Sequence, residues 1–185
     1  DMQLICEAYN IFKHAGFTTD EMAIIADVAL ERDLIVVTDE VYEHLLFDGR
    51  RHTPLSTLPG MADRTLTISS GGKTFNTTGW KIGWLCGPPE LVTAAKTAKQ
   101  FLTFVSGGPF QYAVAHALTG EMSWVEGLRE SMANRRDLLG DGLAALGFTT
   151  YRPRGTYFVT TDIRSLGWAD ALEFCRDLPR RAGVV

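Results

Sequence analysis

Apolar residues recur at Met22, Ile25, Ala26 and Ala29, so the spacing predicts a helix over 18–32. Thr18 and Glu21 stand at its start as a capping-box pair, able to satisfy the free N–H groups of a first turn. The period then changes. Leu34-Ile35-Val36-Val37 is an unbroken apolar run, which predicts a strand buried on both faces. Thr65–Ser69 and Ile82–Cys86 predict two more strands, the latter ended by Gly87-Pro88-Pro89. Glu90–Phe104 reads as a helix with Leu91, Ala94, Ala95, Ala98 and Phe101 on one side, broken by Gly107-Gly108-Pro109. A long helical region follows over Phe110–Leu146, interrupted near Gly120. Thr156–Thr160 predicts a further strand and Ala169–Leu178 a short helix. Residues 48–64 are rich in turn formers, and 1–16 carry only a weak helical stripe.

Helices alternating with short apolar runs predict an α/β layer with parallel strands. The long helical region suits a bridge between two domains. The expected division is 1–108 as part of one domain, 109–146 as a connecting helical region and 147–185 as part of a second.

The totals narrow the function classes. The 185 residues are 45% hydrophobic and 22% charged, as in a globular chain with a real core. The net charge of -4, with no basic patch, argues against nucleic-acid binding. No run of 18 or more apolar residues is present, which argues against a transmembrane helix. Cys6, Cys86 and Cys175 are odd in number and fit no metal spacing, so a reduced, cytoplasmic setting is expected. Asp1 and Glu7 stand where a signal peptide would be basic. The first residue is not methionine and the last five enter an apolar run, so a partial chain is expected.

Candidate chemistry gathers at strand ends. Asp39 follows the first strand, where open α/β sheets place ligand-binding groups, and Tyr42 stands one turn further on. The plainer reading is that Asp39 caps a turn and Tyr42 packs. Lys73 follows the second strand within Ser69-Ser70-Gly71-Gly72-Lys73-Thr74-Phe75. Most lysines are solvated, but small neighbours allow close approach, and burial by Phe75 or Trp80 would favour the neutral, nucleophilic amine. Ser70 and Lys81 supply a hydroxyl and a cation suited to an anion. Gly72-Lys73-Thr74 is not a nucleotide phosphate loop, because the opening glycine of that motif would fall on Thr67. The four histidines show no metal spacing, and Glu40, Glu43 and Asp48 read as solvated charges.

Together, Thr38-Asp39-Glu40-Val41-Tyr42-Glu43-His44-Leu45 and Ser70-Gly71-Gly72-Lys73-Thr74-Phe75, followed by Thr78-Gly79-Trp80-Lys81-Ile82-Gly83-Trp84, resemble class I/II aminotransferases of fold type I. The nearest similarity is to the kynurenine, glutamine and N-succinyldiaminopimelate transaminase branch, and Gly155-Thr156-Tyr157-Phe158 resembles the start of its small-domain strand. The resemblance covers roughly residues 17–185. It implies an α/β large domain with a mostly parallel sheet and helices on both faces, joined to the start of an α+β small domain.

It also implies pyridoxal 5'-phosphate as cofactor, amino transfer between an L-amino acid and a 2-oxo acid, and a homodimer. By the same resemblance Lys73 forms the Schiff base, Asp39 faces the pyridine nitrogen, Tyr42 bonds the 3-oxygen, and Ser70 and Lys81 hold the phosphate. Lys81 stands where arginine is commoner, keeping the charge without the bidentate fork. Residues 1–16 lack the expected Asn-Pro loop, and the carboxylate-gripping arginine would lie past Val185, so a half-site is implied. Other readings are a β-lyase or decarboxylase on the same cofactor, or a chain that is a non-catalytic fragment or binding module.

Overall fold

The computed structural model describes residues 18–105, 107–120 and 122–183; the weak stripe over 1–16 lies outside them. These residues divide into two compact units. One runs to Glu130 and takes in Arg154–Thr156, and the other comprises Ser131–Pro153 and the residues from Tyr157 onward.

The first unit opens with α1, Thr19–Glu31. Its capping box forms as expected: the Glu21 N–H donates to Thr18 Oγ1 at 3.3 Å, and the Thr18 N–H donates to Glu21 Oε2 at 2.7 Å. The Thr18 N–H first, and then the Thr18 hydroxyl donating to Glu21 Oε2 at 2.8 Å, hold the Glu21 carboxyl below its ordinary pKa. The chain then enters β1, Val36–Asp39, which pairs in parallel with β2, Thr65–Ser70. A tight turn, Gly71–Thr74 (α2), follows β2 directly. The chain returns as β3, Gly83–Cys86, antiparallel to β2, so the sheet order is β1-β2-β3. The turns at Gly71–Thr74 and Thr78–Trp80 reverse the chain, so that Gly83 comes back level with Ser70 and Cys86 with Thr67. Helices α3, Pro89–Leu102, and α4, Gly108–Thr119, complete the unit. The Gly107-Gly108-Pro109 break holds, with Pro109 in the first turn of α4, where its missing N–H costs nothing.

Side-chain alternation splits the sheet into two faces. Val36, Thr38, Thr65, Thr67 and Ser69 share one face, since Val36 pairs with Thr65 and Thr38 with Thr67. There lies a small core of Ala26, Ala29, Leu55 and Met61, with Met22, Ile25, Val36 and Leu58 packed against it. Met61 is fully buried. Val37, Asp39, Leu66, Ile68 and Ser70 share the other face.

The β1 expectation needs two corrections. The strand lies two residues later than 34–37, so Asp39 is its last residue rather than the residue beyond it. Nor is it buried on both faces, for Val37 is 59% and Ile68 37% exposed. Among the described residues β1 pairs with β2 alone, and α1 covers only the Val36 side.

Helix α5, Ser123–Ala145, passes from the first unit into the second, separated from α4 near Gly120 as expected. In the second unit β4, Thr149–Tyr151, pairs antiparallel with β5, Thr160–Asp162. The strand expected over Thr156–Thr160 is thus displaced. Its first residues are held elsewhere: the Thr156 N–H donates to Leu45 O at 2.9 Å, and the Phe47 N–H donates to Arg154 O at 2.9 Å. Gly155 bridges Leu46, and a Cβ there would stand 2.8 Å from Leu45 O, so only glycine permits this approach. Thr156 pays for it with a φ of 68°, unusual for a β-branched residue. Helix α6, Ala171–Ala182, starts on an Asp170 cap that accepts from the Leu172 and Glu173 N–H groups.

Two outcomes follow. Met61→Ala should destabilise the fold by about 2–5 kcal/mol, read by urea denaturation, because it empties a fully buried site. In the second unit the Arg164 guanidinium, and then its backbone N–H, hold the Asp162 carboxyl down to about 2. The folded value lies below the ordinary one. The linked stability is therefore present above a pH of about 4 and lost as pH falls toward about 2. Carboxyl NMR should show Arg164→Ala raising Asp162 toward the ordinary range, with the remaining depression left to the backbone N–H of residue 164.

Candidate functional site

The candidate residues come together at one end of the β1–β2–β3 sheet. Asp39 ends β1 and Ser70 ends β2, and the alternation puts both on the open face. Asp39 also does the plainer job: its Oδ1 accepts from the Val41 N–H at 3.3 Å. Two overlapping turns follow, the Glu43 N–H donating to Glu40 O at 2.9 Å and the Leu45 N–H to Tyr42 O at 2.8 Å. They bring Tyr42 beside the next strand end, so that Lys73 Nζ lies over the Tyr42 ring, 5.9 Å from its centroid. A cation over an aromatic face is a stabilising arrangement.

Ser70 caps α2, its Oγ accepting from the Gly72 N–H at 3.3 Å. That bond leaves the hydroxyl's own proton to donate. Thr77 and Thr78 fold back over the same turn, donating from their hydroxyls to Gly71 O and Gly72 O at 3.1 Å. A Cβ on Gly72 would stand 3.3 Å from Thr78 Cα and 3.4 Å from Ser70 Oγ. The turn is therefore a tight cradle whose space a side chain would fill.

Lys81 sits exposed at the end of the Thr78–Trp80 turn, in the left-handed region with φ 57°. Its neighbours hold it there. Ile82 is buried, and its carbonyl accepts from the Gly71 N–H at 3.1 Å. Trp80 stacks on Phe110 with centroids 4.6 Å apart. A non-glycine residue in this region costs about 1–3 kcal/mol and persists where its surroundings over-determine it.

The aromatic side chains expected to enclose Lys73 are otherwise engaged. Phe75 packs against Trp124 at 6.0 Å and Trp80 against Phe110, while the ring beside the amine is Tyr42.

Glu40 and Glu43 are corrected outright. Glu40 is buried at 8% exposure, accepting from Thr38 Oγ1 at 2.8 Å and lying 2.7 Å from His52 Nε2. Glu43 Oε1 accepts from Ser69 Oγ at 2.6 Å. Glu40 reaches the covered face because alternation continues past the strand: Thr38 and Glu40 flank Asp39 and point away from it. That alternation was the available signal for Glu40, and its charge masked it; Glu43 is brought to Ser69 by the turns that follow the strand. Among the described residues no group of three His, Cys, Asp or Glu side chains is placed to hold a metal ion.

The model of the family described as aminotransferase class I and II matches residues 15–185. The chain is 53% identical over 170 residues to the probable N-succinyldiaminopimelate aminotransferase DapC of Mycobacterium tuberculosis, a match covering 92% of this chain and 43% of that protein. It is 37% identical over 158 residues to kynurenine–oxoglutarate transaminase 3 of Rattus norvegicus, covering 82% of this chain and 35% of that one. The solved structure of N-succinyldiaminopimelate aminotransferase from Mycobacterium tuberculosis superposes with a TM-score of 0.88 at 52% identity, covering 92% of this chain and 45% of that one. The chain thus spans less than half the length of these relatives.

The Glu40–His52 contact generates a stability prediction. His52→Ala removes a partner of a buried carboxylate and should cost about 1–3 kcal/mol in chemical denaturation. Replacing the exposed Arg51 by alanine should change stability by no more than about 0.5 kcal/mol.

Proposed function

The chain belongs to the class I and II aminotransferases, and we propose that it carries the cofactor-holding half of a site for pyridoxal 5'-phosphate-dependent amino transfer between an L-amino acid and a 2-oxo acid. The observation that carries the reading is the meeting of two strand ends, which sets the Lys73 amine over the Tyr42 ring with Asp39 and Ser70 on the same sheet face. Similarity to transaminases favours amino transfer among the chemistries open to this cofactor.

The donor set fits the group. A phosphate would be met by the Ser70 hydroxyl, beside the Gly72 N–H, and by the exposed Lys81 ammonium. An aldehyde is met by the Lys73 amine, a phenolate oxygen by the Tyr42 O–H, and a pyridine nitrogen by the Asp39 carboxylate. When bound, pyridoxal 5'-phosphate supplies an electron sink for bonds at the substrate α-carbon.

The protein's own residues do the rest. Asp39, as an anion, keeps a proton on the ring nitrogen. Tyr42 donates its phenol proton in a hydrogen bond to the 3-oxygen. Ser70 and Lys81 would hold the phosphate of the bound group. The Lys73 amine would bind its aldehyde carbon and, as a free base, would move the proton at the substrate α-carbon.

In the same reading, residues 1–108 are the later part of a cofactor-binding large domain, 109–146 a connecting helical region, and 147–185 part of a small domain. A homodimer is supported by the apolar surface at Phe101, Leu102, Phe104 and Tyr112, with Phe101 83% exposed. A reduced, cytoplasmic setting suits the exposed thiols of Cys86 and Cys175, and no helix among the described residues is long and apolar enough to cross a membrane.

Added pyridoxal 5'-phosphate should give an absorption band that borohydride fixes to Lys73, located by peptide mass spectrometry. Lys73→Ala should abolish the fixed adduct and lower transamination by roughly 10²–10⁴-fold or more. A Lys73→Ala protein that kept both the band and turnover would sink the assignment. N-succinyldiaminopimelate is the first substrate to assay, after the mycobacterial relative.

A further inference from the structure

Ser69 and Glu43 hold none of the roles given above, yet they join the two halves of the site. Ser69 is 2% exposed, on the covered face of β2, back to back with the open face that carries Ser70. Its Oγ donates to Glu43 Oε1 at 2.6 Å, a length typical of a charge-assisted O–H···O⁻ bond. Glu43 directly follows Tyr42, and Ser69 lies four residues before Lys73. The bond therefore ties the turn bearing Tyr42 to the strand end bearing Lys73.

The turn has a second anchor on the same face. Glu40 is held by Thr38 and His52, and its N–H donates to Ile68 O at 2.8 Å. That anchor grips the start of the turn, at the end of β1. Contacts past Tyr42 limit rotation of the turn about this fixed start: Glu43 makes the one adjacent to Tyr42, and Leu45 O, accepting from the Thr156 N–H at 2.9 Å, makes a later one.

We infer that Glu43 and Ser69 are positioning residues, whose hydrogen bond sets the Tyr42 phenol against the Lys73 amine. The inference rests on the cofactor reading above, since the phenol acts on the ring that Lys73 would hold. A bond that merely stabilised the fold would leave Tyr42 placed without it. A positioning bond acts through Tyr42 and has nothing left to act on when the phenol is absent.

The experiment is a double-mutant cycle on the affinity of the protein for pyridoxal 5'-phosphate, read by absorbance titration, with thermal unfolding as a control. Ser69→Ala should weaken the affinity about three- to tenfold. Tyr42→Phe should weaken it at least as much. The combined variant should match Tyr42→Phe within about twofold, the coupling expected of groups acting as one unit. Glu43→Gln keeps an oxygen that accepts from Ser69 and should stay within about threefold of the parent, whereas Glu43→Ala should behave as Ser69→Ala. Glu43 is only half-buried, so Glu43→Ala replaces Ser69→Ala in the cycle if the latter does not fold. Independent, multiplying losses, or a folded Ser69→Ala protein with parental affinity, would overturn the positioning role while leaving the cofactor reading intact. A parent protein without the borohydride-fixed band would overturn both.

Discussion

The site depends on the register of β1 against β2. Asp39 lies level with Ile68, and the Glu40 N–H closes the ladder onto Ile68 O. This register places Asp39 and Ser70 on one face and Thr38, Glu40 and Ser69 on the other. A slip of one residue would exchange the faces. It would turn Asp39 into the covered layer and expose Glu40, dismantling the arrangement and parting Glu40 from His52. The buried polar contacts of Glu40 thus disfavour the wrong register as well as stabilise the right one, because an unpaired buried carboxylate is costly.

Division of labour between the faces explains why two adjacent acidic residues have opposite surroundings. Asp39 stays exposed, while Glu40 is enclosed by Thr38 and His52. The same division recurs on β2, where Ser69 is tied down and Ser70 lies on the opposite face. In each strand the anchoring residue is the immediate neighbour of a candidate site residue, so the anchor's position is transmitted through a single peptide unit. That unit is planar and stiff.

Much of this was legible in the sequence, for reasons particular to each element. Helix α1 announced itself through the Thr18–Glu21 pair and a regular apolar stripe, both local signals. The Gly107-Gly108-Pro109 break was equally local. The extent of β1 was not, since a run of four apolar residues does not say which of them pair; that is settled by Arg64 O, which accepts from the Val36 N–H at 2.9 Å. The strand expected at Thr156–Thr160 failed for the same reason, because residues far away at Leu45–Phe47 claim Gly155 and Thr156. Asp39, Tyr42, Ser70, Lys73 and Lys81 were singled out by spacing and family resemblance. Glu40, Glu43, Ser69 and His52 were not, because a charged residue in a sequence looks solvated until a partner from another segment is placed beside it.

The Gly155 contact carries the argument beyond the sheet. Residues 154–156 belong to the first unit although the chain on both sides of them belongs to the second. They are held against Leu45–Phe47, the residues that leave the Tyr42 turn. Gly155 gives the close approach and Thr156 accepts an unfavourable φ, so the backbone concedes conformational energy for this attachment. Such strain persists only when its surroundings over-determine it. The turn bearing Tyr42 is therefore fixed from three directions: through Glu40 before it, through Glu43 to Ser69 beside it, and through Leu45 to Thr156 after it. A phenol on a turn held this way has little freedom left to lose, which is the condition under which binding costs least.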